Sequence, residues 1–326
     1  MITPKNILIS RTDSIGDVVL TLPVCVWLKK QFPTCKITFL GNTYTRPILE
    51  CLPEIDTILE WKELEKLPLE QQIQTIQQLQ IDTCVHVFPK KEIAKLVKKA
   101  GVPNRIGTSH RLFHLLTCNI RPNFTRKNSD LHESQLNFKL LEPLGLKDIP
   151  SLDEIKNSLV SFTPKEQVLP LELSTTEKVI LHPKSQGSAL EWPIEKYVAL
   201  ALQLAEQGKT VYFTGTQKEG DLFRLYIPQH TNIHDVTGAF SLSQFITFIS
   251  KCDTIVACST GPLHIGAVLG LKAIGIFSQT RPIHPQRWQP IGKNTRVITN
   301  PNESTEGKIS TDFVKEISIE KVLEMI

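Results

Sequence analysis

Asn6-Ile-Leu-Ile-Ser-Arg-Thr-Asp-Ser-Ile-Gly-Asp17 is a short apolar run that breaks at small and polar residues, then turns amphipathic. That is the pattern of a buried parallel strand entering a helix through a tight loop. A distant counterpart stands at Val256-Ala-Cys-Ser-Thr-Gly-Pro-Leu-His264. Ligands of α/β proteins sit beyond the carboxyl ends of such strands. Two elbows, one in each half, predict two α/β domains facing each other across a cleft.

The bulk numbers agree. The chain has 326 residues, too many for one ordinary α/β core and comfortable for two. A hydrophobic content of 40% with 21% charged residues fits a globular protein. Apolar runs such as Leu200 to Ala205 fall far below the ~20 residues of a membrane span. The start, Met-Ile-Thr-Pro-Lys, lacks the basic and apolar regions of a secretory signal, so a cytoplasmic location is expected. Seven cysteines (25, 35, 51, 84, 118, 252, 258) form no C-x-x-C pair and read as free, mostly buried thiols.

A net charge of +4 does not by itself call for nucleic acid, and none is expected. The charge is concentrated between residues 90 and 139, with Lys90, Lys91, Lys95, Lys98, Lys99, Arg105, Arg111, Arg121, Arg126 and Lys127. One reading is a solvated helix face and a polar loop. The other is a surface for an anionic acceptor or for lipid headgroups at the inner membrane face.

Strand and helix patterns alternate through both halves. Strands are expected at 5–10, 36–40, 57–60, 82–88 and 105–107, then at 178–182, 210–214, 233–235, 254–258, 273–277 and 296–299. Helices are expected at 16–31, 132–144, 193–207, 241–251, 262–269 and 311–325, among others, with Pro23 kinking the first. Residues 108–130 lack periodicity. Residues 146–177 are punctuated by Pro150, Pro164 and Pro170 and read as the linker. The expected domains are 1–165 and 166–326, each a doubly wound parallel sheet.

Four loops carry candidate chemistry. Ser14-Ile-Gly-Asp17 has the spacing of a capping box. Asp17 is therefore either a helix cap or a carboxylate delivered into the cleft as a general base. Ser259-Thr-Gly-Pro262 places hydroxyls and free backbone N–H groups at a helix start, the makings of a phosphate site, with His264 in the same turn. The loop His182-Pro-Lys-Ser-Gln-Gly-Ser188 is either an anion cradle or an ordinary solvated loop. Gly215-Thr-Gln-Lys-Glu219 ends in an acid suited to a ribose diol or simply to a first helical turn. The chain has no metal-binding signature, no P-loop, no G-x-G-x-x-G after the first strand and no G-x-S-x-G elbow.

The run Ile7 to Pro23 resembles the opening of the ADP-heptose:lipopolysaccharide heptosyltransferase family, glycosyltransferase family 9. Further marks follow in order: Thr38-Phe-Leu, Pro53-Glu-Ile-Asp56, His182-Pro, Glu191-Trp-Pro193, Thr214-Gly-Thr-Gln-Lys-Glu219 and Ser259-Thr-Gly-Pro-Leu-His264. The resemblance implies a GT-B fold of two Rossmann-like domains, the first for the acceptor and the second for a nucleotide sugar. It implies inverting transfer without a metal or other cofactor. By carry-over, Asp17 matches the catalytic base. Lys184 and Ser185 match the donor-phosphate loop, Glu219 the ribose acid, and Thr260, Gly261 and His264 the diphosphate-binding helix start.

Two positions depart from the family pattern. Leu190 stands where many members carry a cation, and Ser259 where many carry Asp. Arg281, in the loop Gln279 to His284, or Lys184 would replace the missing charge. The expected partners are ADP-heptose or a related nucleotide sugar and a lipopolysaccharide-type or glycolipid acceptor. The rival expectations are a non-catalytic nucleotide-sugar-binding protein and a GT-B epimerase.

Overall fold

The computed structural model describes residues 1–127, 129–306 and 309–326. The chain divides into two compact units, Met1–Phe162 and Thr163–Ile326. The division falls inside the proline-punctuated stretch.

Unit 1 contains β1 (Asn6–Ser10), β2 (Lys36–Gly41), β3 (Thr57–Glu60), β4 (Thr83–His86) and β5 (Asn104–Ile106). They form one sheet in the order β3-β2-β1-β4-β5, every pair parallel. Ile7, Leu8 and Ile9 are fully buried, as expected for a central strand covered on both faces. Unit 2 contains β6 (Lys178–His182), β7 (Thr210–Phe213), β8 (Ile233–Asp235), β9 (Thr254–Cys258), β10 (Lys272–Ile276) and β11 (Thr295–Ile298). Their order is β11-β10-β9-β6-β7-β8, again all parallel.

Winding runs outward one way from β1 and then restarts on its other side at β4. In unit 2 it does the same between β6 and β9. Such reversals leave a crevice at the carboxyl ends of the two strands concerned, where ligands of open α/β sheets bind. The loops after β1, β6 and β9 all emerge there.

Three expected helices differ in detail. The first is two pieces, Ile15–Val19 and Leu22–Gln31. Pro23 cannot donate to a preceding turn, so the helix restarts at Thr21 instead of continuing. The segment from Glu133 is α-helical to Phe138, tightens to 3₁₀ through Leu144 and stops at Gly145 with φ +98°. The closing helix breaks into Asp312–Glu316 and Ile319–Leu323. At the break the Ile317 carbonyl accepts from Trp192 Nε1 at 3.0 Å and Lys196 Nζ at 2.7 Å, so packing diverts it from the helical ladder. Within the aperiodic stretch, Leu112–Thr117 is a short helix.

Candidate functional site

In unit 1 the elbow after β1 is organised by a buried cation. Arg11 is 3% exposed and faces three carboxylates. Its Nε donates to Asp13 at 2.7 Å, one Nη donates to Asp17, and the other to Glu133 at 3.2 Å. Asn137 Oδ1 also accepts from Arg11, at 3.4 Å, and from Arg126 at 3.0 Å. Arg126 pairs with the same Glu133 oxygen that Arg11 contacts. Asn137 then donates to the Leu20 carbonyl at 3.1 Å and the Thr21 hydroxyl at 3.2 Å, tying the network to the break between the two helix pieces.

Asp17 sits in the first turn of Ile15–Val19. One carboxylate oxygen accepts from Arg11 and the other from the Ser14 hydroxyl. Ser14 is the N-cap residue, but its side chain makes no capping bond to the backbone. The capping box read from the sequence is replaced by a side-chain pair. Asp17 is thus oriented by a buried guanidinium while its side chain stays 17% exposed.

The surrounding field is unbalanced. Three carboxylates share two guanidinium groups. Burial, reinforced by the charge of Asp17, pushes the Asp13 carboxyl up to about 6 despite its contact with Arg11. Burial also raises the Tyr44 phenol, helped by Asp13 and Asp17. That phenol donates to the Asp13 carbonyl at 2.8 Å.

In unit 2 the loop after β6 folds back on Glu191. Lys184 Nζ reaches Glu191 at 2.9 Å, and the Ser185 N–H and hydroxyl donate to its other oxygen at 2.8 and 2.9 Å. Burial works to raise the Glu191 carboxyl, but these bonds outweigh it and hold the group below its ordinary range. Leu190, beside it, packs half-buried against the unit 2 core. It is therefore accounted for as an apolar anchor of this loop.

His182 ends β6 and shares a 2.9 Å hydrogen bond with the Thr214 hydroxyl. Burial holds its imidazole down to about 4, against the opposing pull of Glu219 and Glu191. Glu219 accepts from both the N–H and the hydroxyl of Thr216, at 2.7 and 2.8 Å. This is a complete capping box. Gly220 lets that helix approach closely, because a Cβ there would lie 2.2 Å from Thr237 Oγ1.

After β9, Thr260 is the N-cap of the helix Gly261–Val268, with Pro262 in its first turn. Its buried hydroxyl has no hydrogen-bond partner among the described residues. A buried hydroxyl at a helix start can complete its bonding with water or with a ligand. Ser259 is half-buried beside it, and its carbonyl accepts from Ser188 at 3.5 Å, linking this loop to the one after β6. His264 is 3% exposed in the same first turn. Arg281 is exposed in the loop after β10. Glu303 anchors that loop by accepting from the Gln279 N–H at 2.8 Å, the Thr280 hydroxyl at 2.9 Å and the Ser278 hydroxyl.

The sequence model of glycosyltransferase family 9 (heptosyltransferase) matches residues 73–317. The chain belongs to this family. A putative glycosyltransferase of Haemophilus influenzae is 27% identical, over 99% of this chain and 96% of its own length. Among solved structures, a family 9 glycosyltransferase from Veillonella parvula superposes with TM-score 0.77 at 19% identity, covering 98% of this chain and 95% of that one. Escherichia coli ADP-heptose LPS heptosyltransferase II gives 0.75 at 18% identity, covering 98% and 97%. With two parallel α/β units, these likenesses give the GT-B fold class.

For a family 9 glycosyltransferase, several site features lay outside sequence reasoning. Arg11 and Asp13 stood inside the quoted opening, yet nothing in their spacing points to Glu133, Asn137 or Arg126. Glu191 was visible only as part of the Glu-Trp-Pro mark, and Glu303 not at all. All seven cysteines are buried. Burial lifts the Cys35, Cys118 and Cys258 thiols to about 11 and that of Cys252 to about 12. None of these is a ready nucleophile. No helix is long and apolar enough to cross a membrane among the described residues.

Proposed function

We propose that this glycosyltransferase moves a heptose, or a related sugar, from an ADP-sugar to a lipopolysaccharide-core or similar glycolipid acceptor. Transfer inverts the anomeric centre and uses no metal. Unit 1 takes the acceptor and unit 2 the nucleotide sugar. The acceptor hydroxyl attacks the anomeric carbon, and Asp17 accepts its proton as the new C–O bond forms. The bond from that carbon to the diphosphate breaks, and ADP departs with the electron pair. The N–H groups at the start of Gly261–Val268, with the Thr260 hydroxyl, receive the charge that develops on the diphosphate. His264 adds a contact in the same turn, while Lys184, Ser185, Ser259 and Arg281 hold phosphate from neighbouring loops. Glu219 faces the ribose.

The observation that carries the reading is the setting of Asp17. A cap needs no buried arginine, yet Arg11 and Ser14 together fix both oxygens of this carboxylate. The test is ADP release and product analysis with ADP-heptose, with and without a heptose-accepting glycolipid core, for the native enzyme and Asp17→Asn. Acceptor-dependent release that falls ~10²–10⁴-fold in the variant supports the reading. Nucleotide binding without turnover supports the binding-only rival. Equal rates in the two proteins remove Asp17 from the mechanism.

A further inference from the structure

The helix Leu112–Thr117 is buried only on one side, through His114 and Thr117. Its other side presents Leu112, Leu115 and Leu116 at 85%, 52% and 76% exposure. Single exposed leucines are ordinary, but three on one side of a short helix form the kind of apolar patch that marks an interaction surface.

The ground around them is cationic. The helix packs against Lys91–Lys99, which buries Ile93, Ala94, Leu96 and Val97 and leaves Lys91, Lys95, Lys98 and Lys99 exposed. Lys98 Nζ donates to the Leu116 carbonyl at 2.7 Å, Arg105 Nε to Thr117 at 2.7 Å, and Arg121 to Cys118 at 2.6 Å. Three cations therefore gather at the carboxyl end of the leucine helix, where carbonyls lack helical donors. Arg111 is exposed at its other end. Among the described residues, none of these cations pairs with a carboxylate. Two members of the basic stretch do pair and belong elsewhere, Lys90 with Glu65 at 3.8 Å and Arg126 with Glu133.

We propose that this face of unit 1 docks the enzyme on an anionic phospholipid bilayer. Leu112, Leu115 and Leu116 enter the acyl boundary, and the lysines and arginines around them meet headgroup phosphates. A combination of apolar insertion and charge is what a reversible interfacial contact requires, since either alone is weak. The proposal serves the reading of a lipid-borne acceptor, but its test uses neither donor nor acceptor, so the two fail separately.

The full chain is sedimented with vesicles of phosphatidylcholine, with or without phosphatidylglycerol, at low and high salt. Binding is expected only with phosphatidylglycerol, weakening as salt screens the charges. The triple variant Leu112→Ser, Leu115→Ser, Leu116→Ser should bind at least about tenfold more weakly, because burying leucines drives insertion. Lys95→Glu with Lys99→Glu should weaken binding and leave less for salt to remove. Circular dichroism and thermal unfolding should match the native chain, since the substituted side chains are exposed. Equal binding to neutral vesicles, no binding at all, or undiminished binding by the leucine variant overturns the proposal. So does self-association that the leucine variant abolishes in a chain that ignores vesicles, because the face would then pair with a second copy.

Discussion

Replacing Arg11 by methionine tests the organisation of unit 1 most directly. Methionine keeps most of the volume and removes the charge and all donors. Four contacts go: Asp13 at 2.7 Å, Asp17, Glu133 at 3.2 Å and Asn137 at 3.4 Å. Breaking a buried ion pair by removing one partner costs ~3–5 kcal/mol, because the remaining charge is left uncompensated. Three facts pull the expectation to the lower end. Glu133 keeps Arg126, and Asp13 and Asp17 reach water through side chains 21% and 17% exposed. The expected loss is therefore about 3 kcal/mol at neutral pH. It should shrink in mild acid, where the carboxylates can neutralise instead of repelling. Urea unfolding followed by tryptophan fluorescence measures it, and any separate transition of unit 2 should stay in place. Turnover should fall with kcat and leave the ADP dissociation constant unchanged, and Arg11→Lys should restore part of it. A stability loss below about 1 kcal/mol would refute the argument that this cation holds the cluster together. A normal kcat in a destabilised variant would confine Arg11 to structure.

Four further outcomes are expected. Lys184→Ala should weaken ADP binding about tenfold in calorimetry, the equivalent of one charge-assisted hydrogen bond. Leu190→Lys should leave ADP affinity alone and cost about 1 kcal/mol of stability, since Leu190 packs on the core; tighter ADP binding would show that the position faces phosphate. Activity should survive EDTA, and loss reversed by Mg²⁺ would contradict metal-free transfer. Stability should fall as pH drops below the ordinary histidine value. Burial first, then the charges of His114 and Arg105, hold His86 down to about 3, and burial holds His182 down to about 4. The unfolded chain therefore binds these protons first, and the stability present above about 6.5 is lost toward those values at up to ~1.4 kcal/mol per pH unit for each group. Asp13, raised to about 6, acts in the opposite sense between its ordinary value and 6. His86→Gln should flatten the decline and Asp13→Asn should steepen it; an unchanged slope in both removes these groups from the linkage.

Most strands were legible as short apolar runs bounded by loop residues, and the two that are not, Asn-Arg-Ile at β5 and Ile-His-Asp at β8, were legible from their place in the alternation. Those at 57–60, 178–182, 233–235 and 254–258 begin and end where the sequence places them. The helices were legible where apolar spacing and a cap agreed, as at Ser241, whose hydroxyl accepts from the Gln244 N–H. Leu112–Thr117 was not, because six residues are too few for a helical period to stand out and its leucines point outward instead of marking a buried face. The split at Ile317 depends on Trp192 and Lys196, more than a hundred residues earlier, and no local pattern records that. The candidate loops share this division. Thr260 and Glu219 sit in helix-start motifs that spacing alone reveals. Two partners of Arg11, Glu133 and Asn137, come from a helix more than a hundred residues later, and only the fold brings them within reach.

The order β3-β2-β1-β4-β5 also bears on synthesis. β1 is the first strand of unit 1 to leave the ribosome, yet one of its two neighbours, β4, ends only at His86. Until then the strand Asn-Ile-Leu-Ile-Ser can pair on one side only, through β2. Its other edge stays open, apolar and free to pair with a second nascent chain. The same gap recurs in unit 2, where β6 waits for β9. A ribosome pausing just before residue 80 would prolong the first exposure, and one pausing before residue 254 the second. Chaperone dependence in this protein should therefore track translation speed through the segments that precede β4 and β9.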